Sequence, residues 1–415
     1  MKRTLIIVFV FFNVILYSES KFDLKVGASN KTLDDNGYIT IVFKPFFKYN
    51  DFFVGLNNEF SFKSDSTLKQ DDWDNTRAII EKLYLGYGQK GDKVVLRVAS
   101  LDNVEFGYGI LVNNFRNDVY YPNRIKPGFI LKVDYNYAGI NSFIDDVYDL
   151  DLIGLRGFLR PFNFIKEGVP EYVKNFQIGG FFIFDYDNLD KDSSSDTYYI
   201  YKDDPASKTV KFYGFDVFVP FFEEKGVFTG SNFVEYAKLH TGGSGLSFGV
   251  TLKFIDIINF KGSVIYSWSG FIPGYFSSFY EVRNIRSSIY DTTISSPDGW
   301  NFSLDGWLEF KDLKIGTQTY YTKGDGIIFT FYGTLEPELL KGFFIRIFYA
   351  KRDVKGLTET FDITTGKDNI LNFFEIGYQI TRNAYISIRY VKSFKEIDGF
   401  VTNSSLTEIQ TNIVF

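Results

Sequence analysis

The chain has 415 residues, of which 45% are hydrophobic, 20% aromatic and 23% charged, with a formal net charge of −6. It contains 48 Phe, 29 Tyr, one His and no Cys, which excludes disulfide frameworks, thiolate metal sites and cysteine nucleophiles. The mild acidity excludes a nucleic-acid footprint, and no pattern in the chain calls for a cofactor.

The first twenty residues have the pattern of a secretory signal peptide. Two basic residues precede the apolar stretch 5–16, and a small-x-small cleavage site ends at Ser20. The apolar stretch is short for a membrane span, and no later run of about 18 apolar residues could form a transmembrane helix. We therefore predict a signal peptide over 1–20 and a single exported domain over 21–415.

Strict alternation of apolar and polar residues dominates the exported part. The clearest example is 300–310, where Trp300, Phe302, Leu304, Leu308 and Phe310 share one face. Its length matches a tilted membrane strand of about 9–11 residues, whereas strands of soluble proteins are usually about 5–6 residues long. In chain order, we predict further strands at 39–43, 52–62, 94–98, 129–135, 246–254, 260–268, 313–321, 343–349 and 384–390, and a short turn of helix at 74–82.

The connections alternate between short and long, which is typical of outer-membrane barrels. The short ones are 255–258, 310–313 and 379–382, and the long polar ones are 64–75, 185–208, 270–298 and 351–368. We predict an all-β fold: a single transmembrane antiparallel up-and-down β-barrel of about 18 strands, within the range 16–20, with short periplasmic turns and long outer loops. A barrel of that size encloses an aqueous interior. A soluble secreted sandwich is the non-membrane alternative.

The last strand adds a recognisable ending. Over Thr407–Phe415, Ile409 and Ile413 share a face with the terminal Phe415, and Thr411 stands where an apolar residue is usual. With its signal peptide and alternating strands, the chain resembles the porin-like family of bacterial outer-membrane β-barrels.

The resemblance implies several partners and a location. It places the chain among lipids of the outer membrane of a diderm bacterium. It assigns Ile409, Ile413 and Phe415 as the signal read by the barrel-insertion machinery. Porins of about 16–18 strands are often trimers, so the resemblance also suggests a homotrimer.

Charged residues on the polar face are predicted to point inward, because a Lys or Arg facing lipid costs about 2–4 kcal/mol at the midplane. We predict that they line a wet pore and set its ion preference. The alternative is an interior salt-bridge network that fills the barrel. They are Arg97, Lys132, Asp134, Arg156, Asp216, Lys253, Asp305, Glu309, Lys314, Arg346, Glu375, Arg389 and Glu408.

Two segments break the alternation. Asp102–Arg124 places Gly107 and Gly109 on either side of Tyr108. We favour an ordinary surface loop or one irregular strand, with a loop folded into the lumen as the alternative that the resemblance offers. Ser269–Glu281 combines two Gly, one Pro and five aromatic rings. We favour a loop packed on itself over one that contacts a ligand.

Other candidate sites are weak. The acidic runs 185–192 and 145–151 lack the Gly and terminal Glu of an EF-hand, so we predict solvated loops and no metal site, with divalent bridging of lipopolysaccharide phosphates left open. His240, the single histidine, has no acid beside it to complete a catalytic triad. We therefore predict no enzymatic activity.

The leading functional prediction is a porin-like channel for passive diffusion of small polar solutes. One alternative is a substrate-specific channel, for example for sugars, with Trp307, Tyr320 and Tyr385 as an aromatic track. The other is a non-transport surface or structural barrel, such as an adhesin.

Overall fold

The structure is a computed structural model. It describes residues 20–63, 65, 67–69, 81–89, 91–148, 150–165, 167–186, 210–224, 226–240, 242–282, 298–323, 326–361, 369–397 and 400–415. Residues 1–19 of the predicted signal peptide and most of the predicted helix at 74–82 lie outside these ranges, so both stay predictions. Within these ranges no helix has the length and apolar character needed to cross a bilayer.

Strands account for most of the described residues. They are β1 (Ser20–Leu33), β2 (Asn36–Tyr49), β3 (Phe52–Leu56), β4 (Asn58–Lys63), β5 (Leu83–Tyr87), β6 (Val94–Ala99), β7 (Val104–Phe106), β8 (Val112–Phe115), β9 (Gly128–Asp134), β10 (Ala138–Ile144), β11 (Leu152–Leu159), β12 (Gln177–Asp185), β13 (Val210–Glu224), β14 (Phe228–Leu239), β15 (Ser244–Phe254), β16 (Ile258–Trp268), β17 (Gly299–Phe310), β18 (Leu313–Thr322), β19 (Gly326–Leu340), β20 (Phe343–Val354), β21 (Ile370–Thr381), β22 (Ala384–Ile397) and β23 (Phe400–Val414). Short helices are α1 (Glu171–Lys174) and α2 (Leu357–Thr360), with 3-10 turns at Pro161–Phe164 and Tyr280–Val282.

Antiparallel pairing runs round the sheet in chain order and then closes it. β23 pairs back onto β1, from Lys25 with Val414 to Leu33 with Leu406. β3 and β4 pair with β2 in one register and act as a single strand broken at Asn57, while β7 and β8 form a separate hairpin. Counted this way, the described residues form a closed barrel of 20 strands. The predicted up-and-down barrel is confirmed, at the upper end of the predicted strand number.

The two ends of the barrel differ. Tight links at 50–51, 255–257, 311–312, 341–342 and 382–383 gather at one end, together with the C-terminus; we call this the turn end. The long links gather at the opposite end, the loop end, as the alternation predicts. There are exceptions at both ends: 34–35 is a tight turn at the loop end, and 160–176, which carries α1, is a long link at the turn end.

The faces of β17 show why the barrel belongs in a membrane. Trp300, Phe302 and Leu304 are 56%, 47% and 51% exposed, whereas the alternate residues Asn301 and Ser303 are 0% and 6% exposed. Exposed apolar residues of this kind recur on strands all round the barrel. A water-soluble sandwich would bury the apolar face, so that alternative is wrong. The outward face is built for lipid, as in an outer-membrane-type barrel.

The main apolar core lies inside the barrel and not between sheets. It joins inward wall residues of β10 to β18 with two connecting segments that fold into the lumen. We call these the inner loop (residues 100–127) and the inner strap (residues 269–282). The core includes Phe143, Phe181, Phe212, Ala237, Ile265 and Tyr320 from the wall, Phe106, Ile110 and Phe115 from the inner loop, and Phe271, Tyr275 and Phe276 from the inner strap. The prediction of a surface loop at Asp102–Arg124 is therefore wrong.

Candidate functional site: a charged chamber beside the inner loop

The tip of the inner loop is attached to the barrel wall by a buried carboxylate. Oε1 of Glu235 on β14 accepts the backbone N–H of Tyr108 at 3.1 Å, and Oε2 accepts that of Ile110 at 2.9 Å. Because Glu235 is 0% exposed, these two hydrogen bonds form away from competing water. They pin the tip to the middle of one wall.

The glycine before Tyr108 is required by this attachment. Gly107 has φ +66°, in the left-handed region that favours glycine. A Cβ at this position would also overlap Oε1 of Glu235. The Gly-Tyr-Gly pattern noted in the sequence thus marks a backbone that passes directly over a buried carboxylate.

Tyr108 itself fills a slot in the wall. Its ring stacks between Phe218, with centroids 5.7 Å apart, and Phe233, at 4.8 Å. Nearby, Lys261 donates to Glu105 of the inner loop at 2.6 Å. Stacking and a partly buried ion pair therefore reinforce the backbone attachment.

The inner strap binds the inner loop rather than only itself. The N–H of Asn113 donates to the carbonyl of Phe276 at 3.0 Å, and the N–H of Phe276 donates to the carbonyl of Leu111 at 2.9 Å. The side chain of Asn113 accepts a hydrogen bond from Gln318 of the wall. The side chain of Asn114 donates one to Thr330 of the wall. The two segments and the wall of β18 and β19 therefore form one packed unit. The rings of Tyr275, Phe276 and Tyr280 also contact one another, so the predicted packing of the strap on itself is confirmed, and its packing on the inner loop is an addition to it.

The far end of the inner loop reaches the opposite wall. The N–H of Phe394 on β22 donates to the carbonyl of Val119 at 3.1 Å. Arg389 donates to the hydroxyl of Tyr121 at 3.1 Å, and Asn123 donates to Ser404 at 2.8 Å. The inner loop thus crosses the lumen from β14 to β22 and divides it.

A cavity of about 700 Å³ lies beside the inner loop, and we call it the chamber. Its wall comes mainly from β1 to β6 and β18 to β22, and one side is the inner loop itself. Among the residues that the structure describes, eight cationic side chains line it: Lys31, Lys44, Lys69, Lys82, Arg116, Lys314, Arg346 and Arg389. Four acidic ones do: Glu59, Glu81, Asp102 and Asp118. The described part of the chamber lining is therefore cationic although the whole chain is acidic.

Three of the lining acids lie close to lining cations. Glu59 contacts Lys44 at 2.8 Å, and Asp118 contacts Arg116 at 2.5 Å. Burial raises the pKa of the Asp102 carboxyl, with Arg116 opposing the shift. These acids therefore contribute less negative charge to the chamber than their number indicates.

One wall of the chamber is an ion ladder across neighbouring strands. Arg346, Glu375, Arg389 and Glu408 are consecutive cross-strand partners on β20 to β23. Arg389 lies 3.3 Å from Glu375 and 3.4 Å from Glu408, and Arg346 lies 3.5 Å from Glu375. The two glutamates are 3% and 2% exposed, while the Arg346 side chain is 44% exposed. The cations of the ladder face the chamber and its acids lie behind them.

All thirteen predicted inward charges are on the inner face. The strand registers carry that face continuously from Arg97 on β6 to Glu408 on β23. The structure then separates them into groups. Lys314, Arg346 and Arg389 line the chamber, with Glu375 and Glu408 behind them; Arg156, Asp216 and Asp305 are buried beside the inner loop; Arg97, Lys132, Asp134, Lys253 and Glu309 lie towards the turn end.

The buried group fits the salt-bridge alternative. Arg156 is bidentate to Asp216, at 2.8 and 2.6 Å, and donates to Gln177 at 2.9 Å. Asp305 accepts from Gln318 at 3.2 Å. These side chains bond to one another and to neighbouring wall residues. They stabilise the side of the lumen that the inner loop and inner strap occupy, which we call the filled side.

The other sequence predictions have mixed outcomes. Tyr320 is 5% exposed in the inner core, and four strands separate β17, with Trp307, from β22, with Tyr385, so the three do not form one aromatic track. His240 is exposed just after β14. Ile409, Ile413 and Phe415 are 51%, 44% and 68% exposed, and their role in insertion stays a prediction.

The acidic runs need a correction. Asp145, Asp146 and Asp151 are 0%, 1% and 3% exposed, so the prediction of a solvated loop there is wrong. In the other run Asp185 is 0% exposed, and 187–192 lie outside the described residues. Across the part of the chain that the structure describes, no group of three or more acidic or histidine side chains has a metal-binding arrangement.

Several residues of the site were missed by the sequence reading. Lys261 and Glu59 lie within the predicted strands 260–268 and 52–62 and face inward, and continuing the alternation through 231–239 would have found Glu235. Arg116 and Tyr121 lie on the inner loop, where no periodicity exists to indicate a direction.

No protein-family model matches the chain, and no curated protein matches it. Among solved structures it is similar to OpdL of Pseudomonas aeruginosa, at 9% identity over 96% of this chain and 99% of that one, with a TM-score of 0.34. It is also similar to OccAB2 of Acinetobacter baumannii, at 11% identity over 96% and 98% of the chains and a TM-score of 0.35. For OccK2 (OpdF) of P. aeruginosa in complex with glucuronate, the identity is 9%, the coverage 96% and 98% and the TM-score 0.36. Similarity this low transfers neither ligand nor mechanism, so function has to follow from this chain's own side chains.

Proposed function

We propose that this chain is a passive channel for small polar solutes in the outer membrane of a diderm bacterium, and that it admits anions more readily than cations. The observation that carries the proposal is the chamber, whose lining, among the described residues, has eight cationic and four acidic side chains. Fixed charge along a confined aqueous path raises the local concentration of ions of opposite sign. The proposed mechanism is diffusion only, with no chemical step.

The size of the chamber supports small solutes rather than free passage. A barrel of 20 strands would enclose a wide lumen if it were empty. Here the inner loop, the inner strap and the apolar core occupy one side of it. The chamber, about 700 Å³, falls within the range of about 300–1,000 Å³ found for sites that hold one small molecule. A channel with a preferred solute is therefore a second candidate.

Within this proposal the predicted pore-lining charges have different roles. Lys314, Arg346 and Arg389 contact the solute in the chamber. Lys132, Asp134, Lys253 and Glu309 shape the field at the turn-end mouth. Arg156, Asp216 and Asp305 support the filled side and contact no solute.

Single-channel recording in planar bilayers tests this proposal. We expect stable conductance steps and, in a salt gradient, a reversal potential that indicates anion preference. Arg346→Gln removes the most exposed cation of the ladder and is expected to move the reversal potential towards zero. Lys311→Gln, which removes the same charge from an exposed turn-end link outside the chamber, is the matched control and should move it much less. Correctly inserted protein that gives no steps, or that prefers cations, would contradict the proposal.

A further inference from the structure

The outward face of β13 and β14 changes character where these strands reach the loop end. Along most of their length the outward positions are apolar or uncharged, as at Phe215, Val234 and Tyr236. At the loop end the outward positions are instead Lys211 and Lys238. Two basic side chains therefore stand next to each other at one edge of the lipid-facing surface.

The strand register fixes the direction of both lysines. Lys238 is the cross-strand partner of Tyr213, which is 40% exposed on the outward face. Lys211 is exposed, and it shares this face because it lies two residues before Tyr213 on the same strand. His240, also exposed, lies beside them, since its backbone N–H donates to the carbonyl of Lys211 at 2.9 Å. We call Lys211, Lys238 and His240 the basic edge.

Aromatic rings flank the basic edge on one side. The outward rings of Phe182, Phe184 and Tyr186 form a stacked row on β12, with successive centroids 6.5 and 5.7 Å apart. Phe184, in the middle of this row, is the cross-strand partner of Lys211. Aromatic girdles mark the level of the membrane–water interface on barrels of this type. The basic edge therefore lies at the level of the lipid headgroups.

The rings continue on the other side of the basic edge. Lys238, Ser244 and Trp268 are successive cross-strand partners in one outward row over β14 to β16. The ring of Trp268 lies 6.4 Å from that of Tyr236 and 5.8 Å from that of Tyr266. The two lysines thus lie within the aromatic girdle, on the strands themselves, where the barrel wall fixes their positions.

The level of a lysine in the membrane decides what its charge does. At the midplane a charged side chain on the lipid face is costly, but this cost falls towards the interfaces. There the methylene groups of the side chain stay against apolar neighbours while the ammonium group reaches the headgroup layer. Ammonium groups in that layer attract anionic headgroups, and their N–H groups form charge-assisted hydrogen bonds to phosphate oxygens.

We propose that the basic edge binds the phosphate group of an anionic lipid in the outer leaflet, whose acyl chains lie along the outward rings of β12 and β13. The outer leaflet follows from the position at the loop end, because long loops of outer-membrane barrels lie on the outer side. The basic edge is continuous with the lipid-facing surface, which favours a membrane lipid over a free anion. This inference goes beyond the proposed function and holds whether or not the chamber conducts.

Quenching of tryptophan fluorescence by brominated lipid tests the site. Trp268 lies two strands from Lys238 in the same outward row, so its fluorescence reports the lipids beside the basic edge. Replacing Trp73, Trp300 and Trp307 with Phe leaves Trp268 as the single tryptophan. This single-tryptophan chain is folded into vesicles of phosphatidylcholine with a minor fraction of phosphatidylglycerol. In paired samples, one lipid or the other carries bromine on its acyl chains.

We expect phosphatidylglycerol to be preferred over phosphatidylcholine beside Trp268 by at least about threefold. Lys211→Gln combined with Lys238→Gln should abolish this preference, whereas Lys211→Arg with Lys238→Arg keeps the charge and should retain it. Lys311→Gln with Lys341→Gln removes the same charge from exposed turn-end links and is the matched control, which should also retain it. No preference in the single-tryptophan chain, or a preference that survives the double Gln variant at the basic edge, would overturn the proposal.

Inorganic phosphate separates a lipid site from a site for the free anion. Added at constant ionic strength, it should leave the preference for phosphatidylglycerol unchanged. Loss of the preference would assign the basic edge to the free anion and would overturn the assignment to a lipid. Heat-modifiable migration in detergent gels shows for each variant that the barrel has formed.

Discussion

The two sides of the lumen use the same strand pattern for opposite purposes. On the filled side, inward positions of β10 to β18 carry Phe143, Phe181, Phe212 and Ile265, which are at most 3% exposed and pack on the inner loop and inner strap. On the open side, inward positions of β20 to β23 carry the charged ladder that borders the chamber. Outward positions are apolar on both sides. Contact with lipid therefore requires apolar residues on the outward face of every strand. The residue type on the inward face depends on what that part of the lumen contains.

The comparison explains how a wide barrel can hold a small chamber. A 20-strand wall closes by backbone pairing and outward burial in lipid, whatever fills it. The inner loop then adds a core of the kind found in soluble proteins within that wall, attached by buried polar groups such as Glu235 and Lys261. Substitutions on the filled side therefore test the packing of the inner segments, and substitutions on the open side test the chamber.

The largest effect is expected from removing the partition itself. Replacing 104–122 of the inner loop with a short Gly-Ser linker should raise single-channel conductance several-fold, because the chamber then joins the space that the loop occupied. Planar-bilayer recording measures this change. Replacing the turn-end link 162–175 in the same way leaves the inner loop in place and is the control. An unchanged conductance in a folded loop deletion would show that the inner loop does not limit the path.

The next largest effect is the loss of unfolding free energy when an aromatic ring is removed from the filled side, compared with a ring removed from the open side. Phe181→Ala, at 2% exposure in the inner core, should lower the free energy of unfolding by about 3–5 kcal/mol, because it leaves a cavity that the packed neighbours cannot fill. Phe373→Ala, half-buried at the chamber, should cost clearly less, since its ring already borders open space. Denaturant unfolding in detergent gives both values. Equal losses would contradict the distinction between a packed side and an open side.

A smaller effect is expected at the tip of the inner loop. Gly107→Ala adds a Cβ against Glu235 at a φ of +66°, which should cost about 1–3 kcal/mol in the stability of the loop attachment. Gly157→Ala is the control, because nothing lies within 4 Å of its Cβ position. Amide hydrogen exchange of residues 104–115 follows the attachment directly. Full protection in Gly107→Ala would show that the carboxylate can move aside.

The smallest effect tests a single bond between loop and wall. Thr330→Val removes the acceptor of the 3.2 Å bond from Asn114 and should cost about 0.5–1.5 kcal/mol, as expected for one buried hydrogen bond. Thr317→Val, an exposed position on β18, changes the same atoms where no side-chain bond is made and should be close to neutral. The difference between the two unfolding free energies isolates the bond.

The strands could be predicted because one physical rule acts on each residue in turn. Over 300–310 the alternation gave the correct faces at each position, since lipid contact separates neighbours by polarity alone. The strand registers carry the thirteen predicted charges on the face opposite the lipid-facing residues for the same reason, and their part in a pore stays a prediction. The alternation does not distinguish charges that face the chamber from charges that form buried ion pairs. Arg346 is an example of the first kind and Arg156 of the second.

The inner segments could not be predicted, because their partners are remote in sequence. Tyr108 meets Glu235, and Lys126 meets Glu281, across 127 and 155 residues respectively. Asp145 looks like part of a solvated acidic run until Lys126 and Asn117 are brought to it. A run of charges indicates solvent only where no remote segment covers it.

By itself the sequence determined the barrel: its strands, the face each presents to lipid and the alternation of tight and long links at its two ends. These follow from local polarity and backbone pairing, which depend on each residue and its immediate neighbours. Only the tertiary structure decided that two connections fold inward, that one side of the lumen is packed and the other open, and that Lys126 and Glu281 form a buried ion pair. Those features depend on long-range contacts within a confined space, where burial changes the energy of every charge.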